Sequence, residues 1–173
     1  MSVLLLVFSR ISPVAFFRAI GTILVTAFST SSSNATLPTC IKVTRERLGV
    51  TPSVASFVLP LGATMNMSGT ALYEGCVVLF AAQAFGINLA FSQQLLLLGL
   101  SVLSAVAVAG IPGGSLPLII GLCTAVGVPG EGIALVLGVD RLLDMARTTL
   151  NVAADVVTAV IVDEATGGKP AVA

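Results

Sequence analysis

Histidine and tryptophan are absent from this 173-residue chain, tyrosine occurs once, and charged residues make up only 9%. The lack of histidine removes the commonest general base and the commonest metal ligand. Eight basic and eight acidic residues are too few to cover a soluble globule of this size, where about a quarter of residues are charged. That argues against a water-soluble enzyme. The zero net charge provides no basic field for nucleic acid. Disorder is excluded as well, because 56% of residues are hydrophobic and the mean hydropathy is +1.08, the reverse of a disordered composition. Cys40, Cys76 and Cys123 are odd in number and widely spaced. They read as small hydrophobes, with no case for a disulfide or a metal site.

What charge there is lies unevenly. Between Arg47 and Asp140 there is no basic residue, and the acids are Glu74 and Glu131 alone. That interval holds several bilayer spans at about 20 residues each, so the sequence predicts an all-α, multi-pass protein of the cell membrane. Arg10, Arg18, Lys42, Arg45 and Arg47 gather in the first 47 positions. The excess of positive charge assigns that side to the cytoplasm. The N-terminal apolar run lacks a preceding basic segment and a small-residue cleavage site, so it reads as the end of a span rather than a signal peptide.

The apolar pattern divides the chain into six stretches. Residues 1–10 are the end of a preceding transmembrane helix. Residues 11–50 form a first re-entrant hairpin, with Val14–Phe28 as one arm and Ser29–Pro38 as a polar surface tip. Its arms are short for full spans, and short apolar arms around a polar tip suit a hairpin that re-enters the bilayer. Residues 51–86 are a transmembrane helix broken at LPLGATMNMSGT (59–70), where Gly62, Asn66, Ser68 and Gly69 are poor helix formers. Residues 87–128 are a second hairpin, entered through a polar loop at Asn88–Gln94 and turning at GIPGGSLP (110–117). Residues 129–163 hold an amphipathic transmembrane helix from about Ile133 to Val162, and residues 164–173 are a tail. Each break taken alone reads equally as an ordinary loop. Two matching breaks in two halves point instead to the binding site of a secondary transporter.

On the last helix Asp140, Asp144, Arg147, Thr148, Asn151 and Asp155 share one face. Leu142, Leu143, Leu150, Val157 and Val160 lie opposite. Ionisable groups at membrane depth face protein or a cavity. The polar face is then either an ion-pair network or a binding surface. As a binding surface, Arg147 forks onto a carboxylate, Asp144 accepts from an amine, and Asn151 and Asp155 offer hard oxygens to a small cation. Gly62, Thr64 and Asn66 in the broken span add carbonyl and amide oxygens. Glu74, four residues after Thr70, reads equally as a proton carrier or as a carboxyl hydrogen-bonded into the core or paired with Arg147. An enzyme is disfavoured: no serine sits in a G-x-S-x-G elbow, and Asp144 and Asp155 are three turns apart, too far to share a proton.

Four motifs in order, SSSNATLP (31–38), LPLGATMNMSGTALYEG (59–75), AGIPGGSLP (109–117) and DRLLDMARTTLNVAAD (140–155), resemble the dicarboxylate/amino acid:cation symporter family, which includes the glutamate transporter homologues. The resemblance implies the transport-domain core of an elevator-type transporter: two re-entrant helical hairpins and two main transmembrane helices, one of them broken. It implies a homotrimer where scaffold helices are supplied, and a small acidic substrate such as aspartate, glutamate or a dicarboxylate. By the same resemblance Arg147 takes the side-chain carboxylate and Asp144 the amine. Asn151, Ser33 and main chain near Ile111 take the backbone carboxylate, and Thr70 and Thr148 line the pocket. One sodium site uses Gly62, Asn66, Asn151 and Asp155. A second uses Thr64, Met67, Ala105, Val106 and Val108. Glu74 matches the acidic position that proton-coupled members use as a carrier.

Two departures stand out. Ser68 replaces an acid of the family's pattern, which weakens a third sodium site because ligand charge largely sets affinity for a hard cation. The chain also begins near the end of what would be the sixth segment. It therefore reads as the C-terminal half of a transporter, whether fragment, split-gene product or truncated frame. The competing readings are a module without independent transport activity and a neutral amino acid symporter.

Overall fold

The structure is a computed structural model describing residues 1–9, 11–108 and 110–168. Arg10 of the basic cluster, Ala109 of the second tip and the last five tail residues lie outside the described residues. In chain order the helices are α1 (Ser2–Phe8), α2 (Pro13–Ala19), α3 (Gly21–Thr30), α4 (Ser33–Leu48), α5 (Pro52–Met65), α6 (Ser68–Ala84), α7 (Phe91–Ala107), α8 (Leu116–Ala125) and α9 (Ala134–Ala165). A 3-10 turn, Gly130–Ile133, leads into α9. There is no strand among the described residues.

Helix α9 organises the rest and packs on α3, α4, α5 and α6. With its leading turn it forms the stretch Gly130–Ala165, long and apolar enough to cross a bilayer alone. It also links two apolar cores. The first joins Phe16, Ile23, Leu48 and Leu59 to Val152, Val156 and Val160 of α9. The second joins Tyr73, Val78, Leu97 and Ile119 to Val136 near the start of α9. The polar face of α9 lies between the two anchored ends.

The expected break in the middle span is present. Helix α5 ends at Met65 and α6 begins at Ser68, leaving Asn66 and Met67 outside regular helix. Elsewhere the boundaries differ from the sequence reading. The arm Val14–Phe28 is two helices, divided at Ile20 (φ −88°, ψ 6°) just before Gly21, a weak helix former. The serine-rich stretch 29–38 is mostly helical rather than a surface loop. Only Ser31 and Ser32 separate α3 from α4, and Ser31, Ser32 and Ser33 are all buried. Ser32 caps α4 by accepting from the Ala35 N–H at 3.2 Å. Pro38 sits within α4, and its missing N–H frees the Asn34 carbonyl from its intrahelical bond.

The polar loop at Asn88–Gln94 is shorter than expected, since α7 begins at Phe91. The Gln93 side chain accepts from the Ala90 N–H at 2.8 Å and secures that start. Helix α9 runs three residues past Val162, to Ala165. Val157 and Val160, assigned by spacing to the face opposite the charges, are fully packed against α1–α5, whereas Leu142, Leu143 and Leu150 are exposed. The C-terminal half of α9 is surrounded on nearly all sides, so its apolar stripe has no free face.

One buried acid near the end of α9 holds this packing. Asp163 is 1% exposed, and its Oδ1 accepts from the Thr51 N–H at 3.0 Å and the Thr51 hydroxyl at 2.7 Å. Thr51 precedes α5, so the carboxylate satisfies donors at a helix start. Asp163→Ala is expected to lower stability by about 2 kcal/mol, the scale for stranding buried donors of a charge-assisted bond. Thermal unfolding of the detergent-solubilised chain checks this, and an unchanged midpoint would refute it.

Candidate functional site

The two tips meet. Ser32 Oγ, at the start of α4, donates to the Gly110 carbonyl at 2.7 Å, and the Asn34 N–H reaches the same oxygen at 3.4 Å. A Cβ on Gly110 would stand 3.2 Å from both the Ala63 carbonyl and the Asn34 side chain. Glycine there permits three segments to close on one another. Beneath this contact is a cavity of about 10 Å³ lined by Ser33, Thr70, Ile111, Asp144, Arg147, Thr148 and Asn151, with Ser31, Met67, Val108 and Gly110. All seven residues expected at a substrate pocket therefore line one hollow. Ile111 differs from the rest in that its side chain is largely exposed and its carbonyl accepts from the Gly114 N–H at 3.2 Å.

The charged residues of the α9 face are buried, and Asp144 and Arg147 pair with each other. Arg147 Nε and Nη2 reach Asp144 Oδ1 at 2.8 and 2.7 Å. Asp144 Oδ2 accepts from the Gly113 N–H at 2.9 Å. Arg147 Nη1 donates to Ser115 Oγ, and the guanidinium lies 5.0 Å from the centre of the Tyr73 ring, within range of a cation–π contact. Tyr73 in turn donates its hydroxyl to Asp140. The pair expected to meet substrate is thus closed onto itself and onto the second tip.

Asn151 joins this hollow to the helix break. Its Oδ1 accepts from the Gly69 N–H at 2.7 Å, and its Nδ2 donates to Thr70 Oγ1 at 3.0 Å and lies 3.2 Å from Met67 Sδ. One turn further along α9, Asp155 Oδ1 accepts from Asn66 Nδ2 at 3.0 Å. Gly62 packs so closely that a Cβ would fall 2.5 Å from Asp155 Oδ1. Gly62 and Asn66 therefore meet Asp155 where α5 and α9 touch, while Asn151, one turn earlier on α9, engages Gly69, Thr70 and Met67. As placed, Asn66 turns an N–H toward Asp155 and the Gly62 carbonyl accepts from the Asn66 backbone N–H at 2.8 Å, so the Asp155 carboxylate is the charged oxygen donor of this group.

The second expected cation group is only partly assembled. Met67, Ala105 and Val106 line a cavity of about 400 Å³ between the α5–α6 break and α7, while Val108 faces the small hollow. The Thr64 hydroxyl turns back on its own helix, donating to the Leu61 carbonyl at 2.9 Å. Ser68 is exposed. Glu74 is fully buried, with the Ser104 hydroxyl beside its carboxyl and neither carboxyl oxygen in a well-formed hydrogen bond. The alternative that pairs it directly with Arg147 is not realised, because Arg147 is engaged by Asp144, Ser115 and Tyr73.

Two members of this site were not singled out from sequence. Tyr73 follows Thr70 by three residues and so shares its helix face. As the chain's one tyrosine, in a protein without tryptophan, it is the one aromatic residue with a polar handle. Ser115, inside the GIPGGSLP motif, carries no signal beyond that membership.

The family model of the sodium:dicarboxylate symporters matches residues 1–165. The chain is similar to an excitatory amino acid transporter of Caenorhabditis elegans, 39% identical over 151 residues, which is 87% of this chain and 30% of that protein. It is similar also to the human excitatory amino acid transporter 2, 41% identical over 149 residues (86% of this chain, 26% of the relative). The neutral amino acid transporter B(0) of Mus musculus is 40% identical over 148 residues (86% and 27%). The chain thus spans under a third of the length of these relatives. A match over nearly the whole of its helical part places it without ambiguity: the chain belongs to the sodium:dicarboxylate symporter family.

Proposed function

We propose that this chain is the binding and ion-coupling core of a sodium-coupled symporter for a small acidic amino acid or C4-dicarboxylate. One observation carries the reading: Asp144 and Arg147 are buried together beneath the meeting point of two tips, with the buried Asp155 carboxylate at the α5–α6 break about two turns beyond Arg147 on the same helix. Relatives named for sodium-dependent, excitatory or neutral amino acid transport support it. Arg147 receives the distal carboxylate and Asp144 the amine. Ser33, Thr70, Thr148, Asn151 and main chain near Ile111 complete the pocket.

The hollow, at about 10 Å³, is at the threshold for one water molecule, so binding an amino acid requires the second tip to withdraw. Sodium at Gly62, Asn66, Asn151 and Asp155 ties α5 and α6 to α9. That fixes the Asn151 amide, and with it Gly69 and Thr70 at the substrate hollow. A ligand shifts a conformational equilibrium only by its differential affinity. Here both ligands favour the arrangement that holds Asn151 in place, and this shared residue is the physical link between them. Glu74, a fully buried carboxyl beside Ser104, is the group available to carry a proton. The protein works in the cell membrane with the first-tip side cytoplasmic, and forms a trimer and moves as an elevator when scaffold helices are supplied.

Calorimetry on the purified chain tests the proposal. L-aspartate and sodium added together are expected to give binding heat that neither gives alone, with L-aspartate affinity rising at least 10-fold between low and high sodium, a coupling in the usual range. No heat under any condition would leave a module without an independent site. Sodium-independent binding would remove the coupling.

A further inference from the structure

Ser115 is the residue before α8 and is fully buried. A serine at that position ordinarily turns its hydroxyl onto the first helix N–H groups. Here the hydroxyl makes no such cap. Its Oγ points the other way and accepts from Arg147 Nη1. Nε and Nη2 each reach Asp144 Oδ1. With Gly113 holding the other Asp144 oxygen, the pair is neutral overall and its principal hydrogen bonds are met within the chain.

The geometry points to Ser115 as a specificity-determining residue, its hydroxyl occupying the Arg147 donor that a substrate carboxylate would take. The inference rests on the binding role proposed above for Arg147. Asp144 and Ser115 take three of the five guanidinium N–H donors, so a carboxylate arriving at Arg147 meets one N–H each on Nη1 and Nη2 and competes with the serine oxygen standing at Nη1. A neutral side chain faces no such competition: it enters a site whose charge is already balanced by Asp144 and whose guanidinium is already hydrogen-bonded. Ser115 therefore narrows the advantage of acidic over neutral substrates that an open arginine would confer. Because the hydroxyl does not cap α8, its removal leaves that helix start as it is. The effect of a substitution then reports on Arg147 and not on helix stability.

The test compares the full chain with Ser115→Ala and Ser115→Gly, the second lacking both the hydroxyl and any Cβ in the buried tip. L-aspartate and L-glutamine binding are measured in sodium, with hydrogen–deuterium exchange of residues 110–116 in sodium alone. Both variants are expected to raise the aspartate-to-glutamine affinity ratio about 10-fold, the scale of one hydrogen bond to a charged group, and to speed exchange at the tip. An unchanged ratio overturns the inference. A lowered ratio does so too, because it would mean that the hydroxyl stays and donates to the carboxylate. If no variant binds either amino acid, the binding reading fails and the specificity role falls with it. Exchange needs no substrate, so unchanged exchange together with normal aspartate binding rejects the Ser115 contact alone.

Discussion

Arg147→Cys is expected to abolish binding of L-aspartate and to destabilise the chain together. The guanidinium spans three partners, Asp144, Ser115 and the Tyr73 ring, and all are buried or nearly so. Removing it leaves Asp144 as a buried charge held only by the Gly113 N–H. Breaking a buried ion pair from one side costs about 3–5 kcal/mol. The binding effect is separate: losing a buried, paired charge at a recognition site is worth about 2–5 kcal/mol, about 30-fold or more in affinity for an acidic ligand. Calorimetry with L-aspartate and a thermal melt on the same sample read the two effects. The double variant Asp144→Asn/Arg147→Cys separates them. With Asp144 no longer a stranded charge, it is expected to recover part of the stability but none of the acidic-ligand binding, the non-additivity that contacting residues show. Aspartate affinity unchanged in Arg147→Cys would exclude the role assigned to this residue.

The parts of this site that could be read from sequence are those with a periodic or compositional signature. The α9 face is legible because spacings of 3 and 4 put Asp140, Asp144, Arg147, Asn151 and Asp155 on one side of any helix. The break at Asn66–Met67 is legible because Gly62, Asn66, Ser68 and Gly69 are all weak helix formers. The serine-rich tip was misjudged for a physical reason. Serine, threonine and asparagine bind nearby backbone equally well in a turn and at a helix start. The choice at Ser32 is made by a partner 78 residues away: the hydroxyl that accepts from Ala35 also donates to the Gly110 carbonyl. Val157 and Val160 share the face opposite the charges yet are buried, because a helix wheel shows which residues share a face, but not how many faces are covered. Near its C-terminus α9 is enclosed by α3, α4 and α5. Ser115 and Tyr73 depend on the same kind of long-range closure, a tip folding back onto α9, and no local pattern encodes it. Nor does the wheel show that Asp144 and Arg147 bond each other, since residues three apart share a face whether they pair or reach outward.

Gly62→Ala decides whether the convergence at the helix break is a cation site. Gly62 lies inside α5, not at a turn. Alanine is a better helix former there by about 1 kcal/mol, so on local grounds the change should stabilise. Against this, the new Cβ would stand 2.5 Å from Asp155 Oδ1 and 2.7 Å from its Cγ, closer than non-bonded atoms sit. The carboxylate must swing away, and because the Asp155 Cβ itself would lie 3.1 Å off, α5 and α9 must also ease apart slightly. Rotation breaks the 3.0 Å bond from Asn66 Nδ2 and withdraws the one charged oxygen of the group. The expected result is a chain with normal helix content whose sodium affinity falls at least 10-fold, since ligand charge and geometry dominate binding of hard cations. L-aspartate affinity should fall with it when measured at moderate sodium and recover at high sodium, because the substrate hollow itself is untouched. Sodium titrations at fixed L-aspartate, read by calorimetry, give both numbers. A stabilised variant with wild-type sodium dependence would show that Asp155 swings aside freely and that the cation is held elsewhere. An aspartate affinity that fails to recover at high sodium would show instead that the damage reaches the substrate hollow through Asn151, which makes the two sites one mechanical unit rather than two coupled ones.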